Sequence, residues 1–236
     1  EKNDDGTYNM QGAAVTIDNN TGYVVAIVGG RDQDFNSYTL NRAFQSHRQP
    51  GSSIKPLIVY TPAFERGYDP NTIVDDHKFE GGPSNATNTY AGKIQLRYAV
   101  AKSLNTVAWQ VYEQVTPKVG LHYLKNMNFS SIVKDDYTLA TSLGGFTKGV
   151  SPLEMASAYT ALENDGMFRQ PNCIKSIVDA DENVVYSSQM TEVSIYEQDA
   201  ARTMTDVLTT VMDSGTGRAL KLSNMPCAGK TGTTND

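Results

Sequence analysis

The sequence predicts a mixed α/β protein of the α+β type: an antiparallel sheet flanked by helices, with a mostly helical subdomain inserted. Three observations predict it. Short apolar runs bounded by turn residues lie near the start and again in the last third of the chain. Between them, apolar residues recur at helical spacing. The 236 residues suffice for one domain or two closely joined subdomains. Residues 1–68 and 166–236 are read as the part that carries the sheet, and 69–165 as the helical insertion, so both ends of the chain build the sheet.

Taken in order, residues 12–18 and 23–28 are apolar runs joined by Asn19-Asn20-Thr21-Gly22, the signature of an antiparallel hairpin. A polar loop follows Gly29-Gly30, and a helix is expected over 52–66. Pro56 lies near its start, where a missing N–H costs little, and Pro62 is expected to bend or shorten it. Residues 69–90, rich in Gly, Pro, Asn and Asp, read as loop. Residues 96–115 read as helix, with Val107, Val111 and Val115 forming a buried stripe. Trp109 and Tyr112 are assigned to the core rather than to a ligand-stacking pair. Helices are expected over 117–127 and over 152–164, the second stopped by Gly166. Residues 174–179 and 183–186 form a small hairpin, 196–212 an amphipathic helix, and 222–233 a strand.

Composition narrows the function. Twenty Lys and Arg against 26 Asp and Glu give a net charge of −6, with no basic block. Phosphate binding needs clustered Lys and Arg, so nucleic acid is not an expected partner. No apolar run approaches the ~18 residues that a spanning helix needs, and the chain opens on a polar tail without a signal peptide. An internal piece of a longer protein is expected. Cys173 and Cys227 are read as buried free thiols, with a disulfide as the lesser alternative. His47, His77 and His122 are scattered, so no metal site is expected.

The chemistry concentrates in three short motifs. Pro50-Gly51-Ser52-Ser53-Ile54-Lys55 places Ser52 one helical turn before Lys55, a hydroxyl nucleophile beside an amine base. Ser131-Ile132-Val133-Lys134 has the same pattern but runs into Asp135-Asp136, read as a solvated acidic turn. The other two motifs favour the first match. Ser103-Leu104-Asn105 is the chain's one Ser-x-Asn, 51 residues after Ser52, and Lys230-Thr231-Gly232-Thr233 lies 127 residues after Ser103. A phosphate loop at Gly229-Lys230-Thr231 is excluded, because the required earlier glycine is Asn224.

The order Ser-x-x-Lys, Ser-x-Asn, Lys-Thr-Gly resembles the penicillin-recognising serine enzymes. The flanks Arg48-Gln49-Pro50-Gly51-Ser52-Ser53, Ala101-Lys102-Ser103-Leu104-Asn105-Thr106 and Gly149-Val150-Ser151-Pro152-Leu153-Glu154 are similar to class A penicillin-binding proteins, over roughly residues 12–236. The resemblance implies a β-lactamase/transpeptidase-like fold with a five-stranded sheet and the site between sheet and helices. It also implies about two more strands and a helix beyond Asp236.

The resemblance further implies Ser52 as nucleophile, Lys55 as its base, and Ser103 as proton relay to the leaving nitrogen. Asn105 is expected to bind the substrate amide, and Lys230, Thr231 and Thr233 its terminal carboxylate. Gly232 leaves room for substrate along that segment, and the backbone N–H groups of Ser52 and Thr233 form the oxyanion hole. The implied activity is peptidoglycan D,D-transpeptidation without a cofactor. Its implied partners are D-Ala-D-Ala stem peptides, β-lactams and other wall-synthesis proteins, on the extracytoplasmic face of a bacterial membrane, with the tether upstream. The alternatives are a serine β-lactamase or D,D-carboxypeptidase, for which Glu154 and Glu163 are candidate water-activating bases, and a non-enzymatic β-lactam sensor or scaffold.

Overall fold

The structure, a computed structural model, describes residues 1–4, 6–32 and 38–234. The first hairpin pairs β1 (Ala14–Ile17) with β2 (Val24–Val28), antiparallel, with Ala14 opposite Val28. Its turn is set locally. The Asp18 carboxylate accepts the Thr21 hydroxyl at 2.9 Å and the Asn20 N–H at 3.0 Å, an Asx turn.

The segment after Pro50 is helical in three styles: a 3₁₀ turn over Gly51–Ile54, a π turn over Pro56–Tyr60, then α1 (Thr61–Phe64). One continuous α-helix over 52–66 was expected. Pro56 has no N–H to give to the turn before it, and side-chain hydroxyls add donors to the carbonyls of the segment. Thr61 Oγ1 donates to the Pro56 carbonyl at 2.7 Å, Tyr196 to Leu57 at 2.7 Å and Tyr159 to Ser53 at 2.6 Å. This segment is buried on every side, with Ile54, Leu57, Ile58, Val59, Tyr60 and Ala63 fully buried together with Lys55 and Thr61, so it runs through the centre of the core.

The helices pack around it. α2 (Leu96–Ala101) and α3 (Asn105–Val115) replace the single expected helix over 96–115. The break has the hydrogen bonds of a Schellman C-cap: Leu104 N–H bonds the Ala99 carbonyl and Ser103 N–H the Val100 carbonyl, both at 3.0 Å. Val107, Val111 and Val115 are buried in α3 as the stripe predicts, and so is Tyr112. α4 (Pro117–Asn126), α5 (Pro152–Glu163) and α6 (Gln198–Asp213) lie where helices were expected. Ala201, Met204, Val207, Leu208 and Val211 form the buried face of α6, at i, i+3 and i+4 spacing.

The strands depart further from expectation. In place of one five-stranded sheet, the described residues form four two-stranded antiparallel sheets. β3 (Ile73–Asp76), inside the stretch read as loop, pairs with β4 (Gly92–Gln95), in the unassigned residues between that loop and the helix expected from 96; the alternation is too short and polar to register as a strand. β5 (Met167–Arg169) pairs with β8 (Glu192–Ser194), and β6 (Ser176–Val178) with β7 (Val184–Ser187), the latter being the expected small hairpin. No strand is formed by the described part of 222–233. A strand is defined by its ladder, and this segment's backbone turns elsewhere, with Gly229 N–H on the Leu208 carbonyl at 3.3 Å. Both cysteines are free, but Cys173 is exposed and Cys227 half-buried. The expectation of burial fails because no second layer covers their stretches of chain. Among the described residues, no helix is long and apolar enough to cross a membrane.

Candidate active site

The three motifs converge. Ser52 lies within the 3₁₀ turn that ends just before Lys55, and in 3₁₀ geometry residues i and i+3 eclipse, which aligns the two side chains. Ser52 is no helix cap: the cap position is Pro50, without a side-chain bond. The neighbouring Ser53 spends its hydroxyl on the Pro50 carbonyl at 2.6 Å. Among the described residues Ser52 Oγ has no hydrogen-bond partner, which leaves it open for chemistry.

Lys55 is fully buried. Its ammonium donates to the Ser103 carbonyl at 2.8 Å, the Leu104 carbonyl at 3.3 Å and Asn105 Oδ1 at 2.8 Å. Burial, and then the Lys230 charge, hold Lys55 well below the usual lysine range. Burial pushes Lys230 down to about 8. Lys230 Nζ donates to Ser103 Oγ at 2.7 Å and to the Thr231 carbonyl at 2.9 Å. The expected relay has Lys55 on the Ser103 hydroxyl. Instead Lys55 meets the Ser103 carbonyl and Lys230 the hydroxyl, because the turn at Ser103 presents the two groups to different lysines.

That turn is backbone-strained. Ser103 has φ +57°, a left-handed conformation that costs a non-glycine residue ~1–2 kcal/mol. Glycine is the usual occupant of such a helix end, and it would bring no hydroxyl.

The Lys230 segment docks on the nucleophile turn. Gly51 has φ +56°, and a Cβ there would stand 2.9 Å from Thr233 N. A Cβ on Gly232 would lie 3.1 Å from Ser53 N and closer still to the Pro50 carbonyl. The two backbones thus pack with no room for side chains between them. Thr231 Oγ1 is tied to Thr216 Oγ1 at 2.6 Å, while Gly232 and Thr233 stay exposed.

The rival pattern at Ser131 comes apart. Lys134 is exposed, and it opens a 3₁₀ turn over Lys134–Asp136. Asp136 is not solvated, as the sequence reading had it. It is buried, and its carboxylate accepts Val133 N–H at 2.8 Å and Thr147 N–H at 2.7 Å. Glu154 is committed to structure. It accepts Ser151 N–H and Ser130 N–H at 2.7 Å each, in a capping box at the start of α5. Burial alone would raise its pKa, but these bonds hold it below the usual carboxylate value. Glu163 is exposed. Among the described residues no three His, Cys, Asp or Glu side chains gather into a metal-holding group.

Sequence reasoning missed the supports. Thr216, at the end of α6, anchors Thr231. Asp76 and Asn85 lie under the Ser103–Asn105 turn. Common residue types at irregular separations give no signal in one sequence.

The family model for the penicillin binding protein transpeptidase domain matches residues 12–236. The chain belongs to that family. It is 34% identical over 231 residues to penicillin-binding protein 4 of Bacillus subtilis, covering 96% of this chain and 37% of that protein. It is also 34% identical over 236 residues to penicillin-binding protein 1A/1B of Bacillus subtilis, covering 97% and 25% respectively. The transpeptidase-family chain thus spans well under half the length of these relatives. Two crystal structures share its fold. Penicillin-binding protein 1A from Haemophilus influenzae matches with a TM-score of 0.82 at 24% identity, over 95% of this chain and 40% of that one. The D,D-transpeptidase domain of a peptidoglycan glycosyltransferase from Eggerthella lenta matches with 0.81 at 24%, over 98% and 68%.

Proposed function

We propose that this transpeptidase-family domain cross-links peptidoglycan as a serine D,D-transpeptidase and is acylated by β-lactams at Ser52. The observation that carries the reading is Lys55: a fully buried lysine, held below its usual pKa by burial and a second lysine, one turn from an unpartnered serine hydroxyl. Two lysines in one cleft cost stability, and such perturbed pairs mark sites of chemistry.

In the proposed reaction, neutral Lys55 takes the Ser52 proton as Ser52 Oγ attacks the carbonyl carbon between the two terminal D-Ala residues. The oxyanion is held by the Ser52 and Thr233 N–H groups, and one such donor is typically worth ~2.7–4 kcal/mol. Ser103 gives its proton to the leaving nitrogen and recovers one from Lys55, after the Lys55 amine swings from the Ser103 carbonyl to the hydroxyl. The C–N bond breaks and D-Ala leaves; an amine from a second strand then attacks the ester carbonyl and loses a proton to Lys55 through Ser103, and the ester C–O bond breaks as Lys55 returns that proton to Ser52 Oγ. Lys230, with Thr231 and Thr233, binds the substrate carboxylate, and Asn105 its amide. No cofactor enters. The domain would work on the extracytoplasmic face of a bacterial membrane, with stem peptides and wall-synthesis proteins as partners. The division at 1–68 with 166–236 against 69–165 is proposed as its two subdomains. Hydrolysis is disfavoured as the main outcome, because Glu154 is spent on a helix cap.

The test is mass spectrometry of the full protein after exposure to a penicillin. A stable adduct on the Ser52 peptide, lost in Ser52→Ala, is expected. Labelling at Ser131, or no labelling of a folded protein, would overturn the reading. A D-Ala-D-Ala peptide with an amine acceptor then separates transfer from hydrolysis.

A further inference from the structure

The Ser103–Asn105 turn has an unusual foundation. α3 begins at Asn105, and its N-cap residue, Leu104, offers no side-chain bond to the free N–H groups of the first turn. Those groups must find partners, since helix starts leave several N–H groups without an intrahelical acceptor. The partner comes from a loop twenty residues earlier. Asn85 Oδ1 accepts Asn105 N–H at 2.8 Å and Thr106 N–H at 3.4 Å.

Asn85 is itself fixed. It is 4% exposed, and its Nδ2 donates to Asp76 Oδ1 at 2.7 Å and to the Thr89 carbonyl at 2.9 Å. Its amide orientation follows from the partners, with the oxygen facing two N–H donors and the nitrogen two acceptors. Asp76, at the end of β3, is 1% exposed. Its carboxylate accepts from Asn85, from the Thr106 hydroxyl and, at 2.7 Å, from Ala91 N–H. A charge so buried is tolerable only when its oxygens are bonded this fully. Asn105 carries the network into the site. Its Nδ2 donates to the Ser84 carbonyl at 2.9 Å, which turns its Oδ1 onto Lys55 Nζ at 2.8 Å.

We infer that Asp76 and Asn85 are positioning residues. Asn85 caps α3 from outside and Asp76 holds Asn85 and the Thr106 hydroxyl, and together they set where Ser103, Asn105 and, through Asn105, the Lys55 amine stand. Neither reaches substrate. A loop held only by water would let the Ser103 turn, already in a left-handed conformation, relax away from Lys55. The β3–β4 hairpin, which sequence reading passed over as loop, is on this account the mount for the second motif.

The inference rests on the proposed acyl-enzyme chemistry, and the experiment keeps the two apart. Acylation of the full protein by a fluorescent penicillin is resolved into the dissociation constant of the first complex and the rate of the covalent step. Asn85→Ala and Asp76→Asn are expected to slow the covalent step by about 10²-fold, as misplacement of reacting groups does. The dissociation constant should change far less, because Lys230, Thr231 and Thr233, proposed to hold the substrate carboxylate, take no bond from Asp76 or Asn85, and only the Asn105 contact is shared. Asn85→Ser replaces Asn85→Ala if the latter does not fold. Hydrogen exchange at the Asn105 and Thr106 amides, expected to accelerate in Asn85→Ala, reads the cap without any chemistry. Wild-type covalent rates in the folded single variants overturn the inference. A wild-type protein that never acylates counts against the proposed function instead; unchanged amide exchange in Asn85→Ala would then overturn the cap.

Discussion

Lys230 Nζ donates to Ser103 Oγ at 2.7 Å, across 127 residues of chain. The bond joins the second motif to the third, and it sets a positive charge beside Lys55, whose pKa that charge helps to lower. The pair therefore does two things at once, fixing the Ser103 hydroxyl and lowering the Lys55 pKa.

Replacing Lys230 with Gln tests its proposed further part, capture of the substrate carboxylate. Loss of a charge-assisted bond to the substrate carboxylate, worth ~1.5–3 kcal/mol, corresponds to about 10–100-fold in the second-order acylation rate. Stopped-flow acylation by a penicillin checks it. An unchanged rate would remove Lys230 from carboxylate binding.

The pH profile of that rate constant should be bell-shaped. At low pH Lys55 is protonated and cannot take the Ser52 proton. Above about 8 Lys230 loses its charge and carboxylate capture falls. In Lys230→Gln the alkaline limb should vanish and the acid limb move to higher pH, because the neighbouring charge that lowers Lys55 is gone. An alkaline limb that persists near 8 in the variant would assign it to another group.

Linkage gives a stability counterpart. Unfolded Lys230 keeps its proton up to about pH 10.4, the folded residue only to about 8. The unfolded state binds more protons between those values, so stability should rise with pH across that window. Denaturant melts at several pH values, compared with those of Lys230→Met, read this directly; equal slopes in both proteins would refute it.

Ser103→Gly should uncouple stability from activity. Glycine relieves the left-handed strain at φ +57°, so the melting temperature should hold or rise, by the equivalent of up to ~1 kcal/mol. Acylation should fall sharply with the hydroxyl. A clear loss of stability would show that the Lys230 bond outweighs the strain.

Gly51→Ala should do damage out of proportion to one methyl group. It would force a side chain into a left-handed position and push it against Thr233 N, a cost of order 1–3 kcal/mol. Calorimetry and acylation should both register it, since the displaced segment carries Lys230 and Thr233. A variant that melts and acylates like wild type would mean the two segments separate freely.

What the chain order alone disclosed was whatever short-range physics encodes. The Asn19–Gly22 turn fixes a hairpin because Asp18 bonds its own neighbours, and α3 to α6 follow from apolar spacing that one helix face must bury. Motif spacing named Ser52, Lys55, Ser103, Asn105 and the Lys230 segment. The supports were invisible: Asp76, Asn85 and Thr216 bond Thr106, Asn105 and Thr231, which lie 30, 20 and 15 positions away, and no periodicity marks such partners. Likewise the fate of 222–233 and the exposure of Cys173 depend on what lies alongside, which an apolar run does not state. Which lysine meets which oxygen of Ser103 was decided only in three dimensions, where one left-handed residue sends its carbonyl to Lys55 and its hydroxyl to Lys230.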